Sequence, residues 1–331
     1  MARDLSKPRR EISWRVEADD EGGRLDHWLS QRVPWRSRTD LQRRIAAGRV
    51  LVDGEVGRKG QRLRHGQEVR VLLEGNEEHI RKDVESIPLH VLHEDRHLIV
   101  IDKAPGHVVH PVGRHVTNTV LNALHVRHHL REHGPGEEPP MIVHRLDRDT
   151  SGVLVLAKNE EVRKALGRDF EERRVRKVYL ALVEGAVTVD EGLIDEPIGA
   201  DPNSDNKTRV ACVPGGKPSR THFQVVARAP RMSLVRCRPE TGRQHQIRVH
   251  LGAIGHPILC DALYGRPEPV TAGSIHLPGL PAGETLLARQ ALHAERLTFT
   301  HPATGEEMDV HAPLAADMQT LVRLCPGMQP I

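Results

Sequence analysis

His144-Arg145-Leu146-Asp147-Arg148-Asp149-Thr150-Ser151-Gly152 runs directly into Val153-Leu154-Val155-Leu156-Ala157-Lys158. A carboxylate stands between two arginines, a Thr-Ser-Gly turn follows, and then comes an apolar run of the length expected for a buried strand. The flanking guanidinium groups favour the ionised form of Asp147 and offer planar donors suited to phosphate. Chemistry and nucleic-acid contact are thus both written into one segment, and the polymer indicated is RNA.

Outward from this segment, strand-like runs at 98–101, 178–183 and 234–237 alternate with helical patterns at 119–129 and 160–172. The strands are short and mostly separated by tight turns. That favours an α+β fold with a mixed, largely antiparallel β-sheet over a doubly wound parallel one. No Gly-x-Gly-x-x-Gly or Walker loop is present, so the usual nucleotide cradles are absent from the sequence. Residues 265–286 are rich in Gly and Pro and read as a surface insertion.

Upstream the pattern changes. Leu25, Trp28, Leu29 and Val33 recur at helical spacing until Pro34 ends the run. A second helix is expected from Arg38 to Ala47, with Leu41 and Ile45 inward and Arg38, Arg43 and Arg44 outward, closed by Gly48. Val50-Leu51-Val52-Asp53-Gly54 and Val69-Arg70-Val71-Leu72-Leu73 read as strands next to Asp-Gly and His-Gly turns. The expectation is two basic helices on a small sheet.

The chain has 331 residues and a formal net charge of only +3, but the charge is unevenly spread. Residues 24–73 hold twelve Lys or Arg against five Asp or Glu, leaving the remainder mildly acidic. Cys212, Cys237, Cys260 and Cys325 lie far apart without Cys-x-x-Cys pairs, which argues for reduced thiols and against a zinc ribbon. The His-rich stretch 124–133 lacks a matching ligand set, so no metal is expected there. No run approaches the roughly 20 apolar residues of a membrane span, and a cytoplasmic protein without cofactor is the expectation.

Several ordered motifs together resemble the RluA-type family of RNA pseudouridine synthases. They are Lys103-Ala104-Pro105-Gly106, the segment from His144 to Gly152, Arg176-Lys177-Val178-Tyr179-Leu180-Ala181, and Thr241-Gly242-Arg243-Gln244-His245-Gln246-Ile247-Arg248-Val249-His250-Leu251. Asp261-Ala262-Leu263-Tyr264-Gly265 and the hairpin-like stretch 291–313 extend the match. The basic N-terminal segment resembles the S4 RNA-binding domain. The implied layout is a flexible basic tail over residues 1–11, an S4-like domain over 12–74, a linker over 75–87 and a catalytic domain over 88–325.

The resemblance assigns the catalytic carboxylate to Asp147. Isomerising uridine requires breaking the glycosidic bond, rotating the uracil and joining C5 to C1′ in a closed pocket, and one carboxylate suffices. Covalent attack by Asp147 and abstraction of a sugar proton both remain open. Arg248 is the expected bidentate partner of Asp147, with a phosphate clamp or a surface arginine as its other reading. Tyr179 is placed against the uracil ring, to stack and to assist proton removal from C5; its other reading is a core tyrosine. Tyr264 is expected to pack. Arg145 is assigned to the gap left by a flipped base. Lys103, Arg243 and His245 are read as RNA-backbone contacts or pocket-shaping groups, with a solvated charge near a turn as the other reading of each. Asp149 is read as a cap on the amides of the following turn.

The expected partner is RNA, large-subunit ribosomal RNA before transfer RNA, and the expected state is a monomer. Two other classes compete. One is a non-catalytic RNA-binding or ribosome-assembly factor; the other is a hydrolase of sugars or nucleic acid pairing Asp147 with Asp149. The second suffers from geometry, because two carboxyls within one turn sit poorly on opposite sides of a bond.

Overall fold

A computed structural model of the chain describes residues 11–33, 38–72, 87–110, 119–129, 138–206 and 208–330. Residues 1–10 and 73–86, read above as most of the tail and the linker, lie outside them, as do 130–133 of the His-rich stretch. The chain divides into two compact units, Met1–Pro88 with Val108–Gly134, and Leu89–His107 with Pro135–Ile331. One division thus falls at residue 88, beside the linker expected at 75–87, and Val108–Gly134, which contains helix α3 (Val120–His129), groups with the first unit.

In the first unit, the helical spacing around Trp28 yields α1 (Leu25–Arg32), and α2 spans Arg38–Ala46. Strands β1 (Glu11–Arg15), β2 (Val50–Val52), β3 (Glu55–Val56) and β4 (Glu68–Leu72) form an antiparallel sheet in the order β1-β4-β2-β3. Residue 11, expected to belong to a loose tail, is instead a paired strand residue opposite Leu72. Leu25, Leu29, Leu41 and Ile45 are buried against Val50, Val52, Val69 and Val71. Each fully buried side chain of this kind contributes about 1.5–3 kcal/mol. Asp26 is buried between the helices. Burial pushes its carboxyl up, but hydrogen bonds from Arg24, Gln42 and Arg38 outweigh that and hold it well below the usual carboxylate range.

The second unit is built on an eleven-stranded sheet whose main path is β10-β13-β14-β9-β17-β8-β6-β5. These strands are β5 (Leu89–Glu94), β6 (Leu98–Lys103), β8 (Ser151–Ala157), β9 (Arg176–Glu184), β10 (Glu191–Asp195), β13 (Arg220–Ala229), β14 (Met232–Pro239) and β17 (Leu292–Thr300); β7 (Met141–Ile142), β18 (Glu307–His311) and β19 (Gln329–Pro330) complete the sheet, β11 (Ile198–Ala200) pairs with β12 (Val210–Cys212), and helix α4 spans Glu160–Glu171. β8 is buried at every residue, as its unbroken apolar run requires, whereas β13 alternates along one buried face. Along the main path only β17 and β8 run parallel. At their junction Gly152 has φ +109°, and a Cβ there would stand 2.2 Å from the Ala294 carbonyl oxygen, so no other residue fits. The 265–286 insertion carries β15 (Val270–Thr271) and the start of β16 (Thr285–Leu287), which pair with each other.

Candidate active site

The loop before β8 is fastened from beneath. Lys103 is 1% exposed, and its Nζ donates to the carbonyls of Ala104 (2.8 Å), His107 (2.9 Å) and Arg148 (2.9 Å). Burial pushes this amine down to about 7, against the pull of Asp149. Arg289 donates to the Asp149 carbonyl at 3.0 Å, and Gln290 donates to the Thr150 hydroxyl at 2.7 Å. Lys103 is therefore not an RNA-backbone contact. Three carbonyls converge where a phosphate cannot reach, and the lysine shapes the loop that presents Asp147.

His144 opens the loop as a half-buried ring at the pocket wall. Its Nε2 accepts from the Val155 amide at 3.1 Å, and it stacks on Phe170 at 4.6 Å between centroids. Burial pushes it down to about 3, helped by the charge of Lys177.

Asp147 sits at a pocket of about 520 Å³ lined by Arg145, Leu146, Tyr179, Arg243, His245 and Arg248, among others. That volume suits a small organic ligand or a flipped nucleotide. The cation on Asp147 is neither flanking arginine. Arg148 turns to Asp149 (2.9 Å), and Arg145 lies exposed at the pocket wall. The Asp149 carboxylate thus pairs with Arg148 instead of capping the turn amides, and an opposed-carboxylate hydrolase using Asp147 with Asp149 loses its second acid.

Arg248 supplies the charge from 101 residues away, on helix α5 (Gln246–Ala253), which is buried along most of its length. Its NH1 donates to Asp147 Oδ2 at 2.9 Å, a single contact in place of the expected bidentate one. The bidentate pair is with Asp261, through Nε at 2.6 Å and NH2 at 2.7 Å. Asp261 is fully buried, and its Oδ1 also accepts from the amides of Leu263 (2.9 Å) and Tyr264 (3.2 Å). Burial opposes the charge on both partners, yet mutual attraction prevails: the guanidinium is raised above its ordinary value and the Asp261 carboxyl is lowered.

Tyr179 lies on β9 between Cys237 of β14 and Ala294 of β17 and lines the pocket. Burial, reinforced by the negative Asp147, pushes its phenol above the ordinary value. A phenol so held stays protonated, which suits a stacking role and works against proton removal by a phenolate.

Sequence reading gave no chemical role to three side chains in or next to the pocket. Asp261 was quoted only within a motif. Tyr264, expected to pack, meets His245 Nδ1 through its hydroxyl at 2.8 Å and lies under the guanidinium of Arg248 at 5.0 Å. Lys177 lines the pocket, donates to the Thr241 carbonyl at 3.1 Å and is pushed down to about 8 by burial. Arg243 is half-buried at the wall, 3.5 Å from the Pro218 carbonyl. On the first unit, Arg43 is 72% exposed, while Arg38 directs two nitrogens to Asp26. Arg44 is buried and pairs with Asp40 at 3.4 Å, so it does not face outward as expected. Among the described residues, no group of three or more His, Cys, Asp or Glu is disposed to hold a metal, and no helix is long and apolar enough to cross a membrane.

Comparison with known proteins agrees with this architecture. Residues 97–253 match the model of the RNA pseudouridylate synthase family, and residues 23–69 match the S4 domain. The chain belongs to the RNA pseudouridylate synthase family, in its RluA-type branch with an N-terminal S4 domain: it is an isomerase that converts uridine in RNA to pseudouridine. It is 42% identical over 307 residues to a ribosomal large subunit pseudouridine synthase D of Nitrosomonas europaea, covering 91% of this chain and 84% of that one. A protein of the same name from Vibrio vulnificus is 39% identical, covering 94% and 93%. Among solved structures, human RNA pseudouridylate synthase domain containing 4 aligns with a TM-score of 0.59 at 28% identity, over 76% of this chain and 98% of that one.

Proposed function

We propose that the protein isomerises uridines of large-subunit ribosomal RNA, as a cytoplasmic monomer, with Asp147 acting on the sugar or base of a flipped nucleotide. The names of its relatives support that substrate. The observation that carries the chemistry is the carboxylate itself. Arg248 holds one oxygen of Asp147, while the other faces the pocket, 3.9 Å from His245 Nε2. One chain supplies Asp147, Tyr179 and Arg248, so the pocket needs no second copy. Tyr179 stacks on the base, Arg145 fills the vacated position, and Arg43 with the outward part of Arg38 contacts RNA phosphate.

Asp147→Asn keeps the shape of the side chain and removes its charge. Pseudouridine formation on unmodified large-subunit ribosomal RNA is expected to fall at least about 10³-fold, with RNA affinity within about twofold. Parent-like activity in this variant would overturn the assignment. Mapping pseudouridines in cells with and without the protein tests the substrate; loss of sites from transfer RNA alone would exclude the ribosomal reading.

A further inference from the structure

His245 is the first residue before helix α5 and has φ 51° and ψ 21°, the left-handed region. A side chain there costs roughly 1 kcal/mol, and glycine would adopt the conformation freely. The position nevertheless carries an imidazole, and the strained backbone turns it into the pocket.

Its tautomer follows from its neighbours. The Val210 amide donates to the Tyr264 hydroxyl oxygen at 3.1 Å. The proton of that hydroxyl is therefore available, and His245 Nδ1 lies 2.8 Å away. A hydroxyl donating to Nδ1 leaves the ring proton on Nε2. Burial pushes the imidazole below its ordinary value, against the pull of Asp147, which favours the neutral ring this relay needs. Nε2 then points a donor toward the free oxygen of Asp147, at a distance of 3.9 Å that is too long for a hydrogen bond.

We propose that His245 is a hydrogen-bond donor to the uracil ring, locked by Tyr264 with its proton on Nε2 and placed to meet a carbonyl oxygen of the base as the glycosidic bond opens. The inference rests on the uridine-isomerising reading. When N1–C1′ breaks, its electron pair stays on the uracil, and the negative charge spreads onto the ring carbonyls. That pair later forms C5–C1′, the C5 proton is lost and N1 gains one, so atoms balance without a further reactant. A fixed donor beside the reacting carboxylate is worth most while the base carries that charge, and little when the ground state binds.

The test uses the full-length protein. Nitrogen-15 spectra of the ligand-free wild type should show His245 Nδ1 unprotonated, and Tyr264→Phe should shift the population toward the Nδ1–H form. On unmodified large-subunit ribosomal RNA, His245→Gly, which relieves the backbone, should lower the single-turnover rate about 100-fold with RNA affinity within about twofold. His245→Gln, which restores an N–H donor, should recover about tenfold of that loss. A wild-type ring protonated at Nδ1, a His245→Gly rate within twofold of the parent, or a rate loss matched by lost RNA affinity would each overturn the role of His245 alone. A wild type that forms no pseudouridine overturns the functional reading, and this role falls with it.

Discussion

Arg248 is shared between two carboxylates, gripping buried Asp261 with two nitrogens and reaching Asp147 with a third. The inner acid fixes the guanidinium, and the guanidinium fixes the outer acid. Breaking a buried pair from one side strands a charge, at about 3–5 kcal/mol. Asp261→Asn should therefore lower the melting temperature by several degrees. It should also reduce the turnover rate about 10- to 100-fold, with a much smaller change in RNA affinity. Calorimetry and single-turnover kinetics on the same preparation check both, and an unaltered rate in a folded variant would contradict the positioning role.

Lys103 and Arg145 are both basic residues of this region and should behave oppositely. Lys103→Met leaves three carbonyls without their donor, so stability should fall while the salt dependence of RNA binding keeps its slope. Arg145→Ala should leave stability within about 0.5 kcal/mol and reduce the slope of log affinity against log salt by about one. Measuring affinity at several salt concentrations separates the two; a reduced slope for Lys103→Met would restore it as an RNA contact.

Tyr179 should leave no trace as an ionising group in the pH–rate profile between pH 7 and 10, because its phenol is pushed above the ordinary value. Tyr179→Phe should show a profile of the same shape. A limb in that range that disappears in the phenylalanine variant would assign the phenolate a role.

His144 makes the fold sensitive to acid. Its native value of about 3 lies below the ordinary 6.5, so the native state favours the neutral ring. The stability this contributes is complete above about pH 6.5 and is lost as pH falls toward 3. His144→Gln retains an acceptor for the Val155 amide without a titrating ring. Its melting temperature should decline less steeply between pH 6.5 and 4, and parallel curves would count against the assignment.

Apolar spacing carried much of the fold in plain view. Leu25, Trp28 and Leu29 specified α1, and the run from Val153 to Ala157 specified β8, because periodicity and run length report burial directly. Charged residues were harder to read. Lys103 and Arg44 look solvated in sequence, since nothing local reveals which carbonyls or carboxylates will surround them. Arg248 could be matched to Asp147 by resemblance, but its grip on Asp261 depends on a turn whose amides of Leu263 and Tyr264 complete the anion's shell. The left-handed backbone of His245 was hidden for a simpler reason: only glycine announces that conformation by its identity. The two-residue strands β3 and Val270–Thr271 are too short to show alternation.

The parallel junction of β17 with β8 bears on how the enzyme is made. Ser151 pairs with His293, and Gln290 and Arg289 hold the loop that precedes β8. Half of the clasp on the loop that carries Asp147 is thus translated some 140 residues after the loop itself. A nascent chain that has cleared the ribosome only through the middle of the sheet carries Asp147 without the grip that aims it, and a product truncated before residue 289 should form no pseudouridine while still binding RNA through its first unit. Activity is thereby expected only once the chain has been made beyond residue 293.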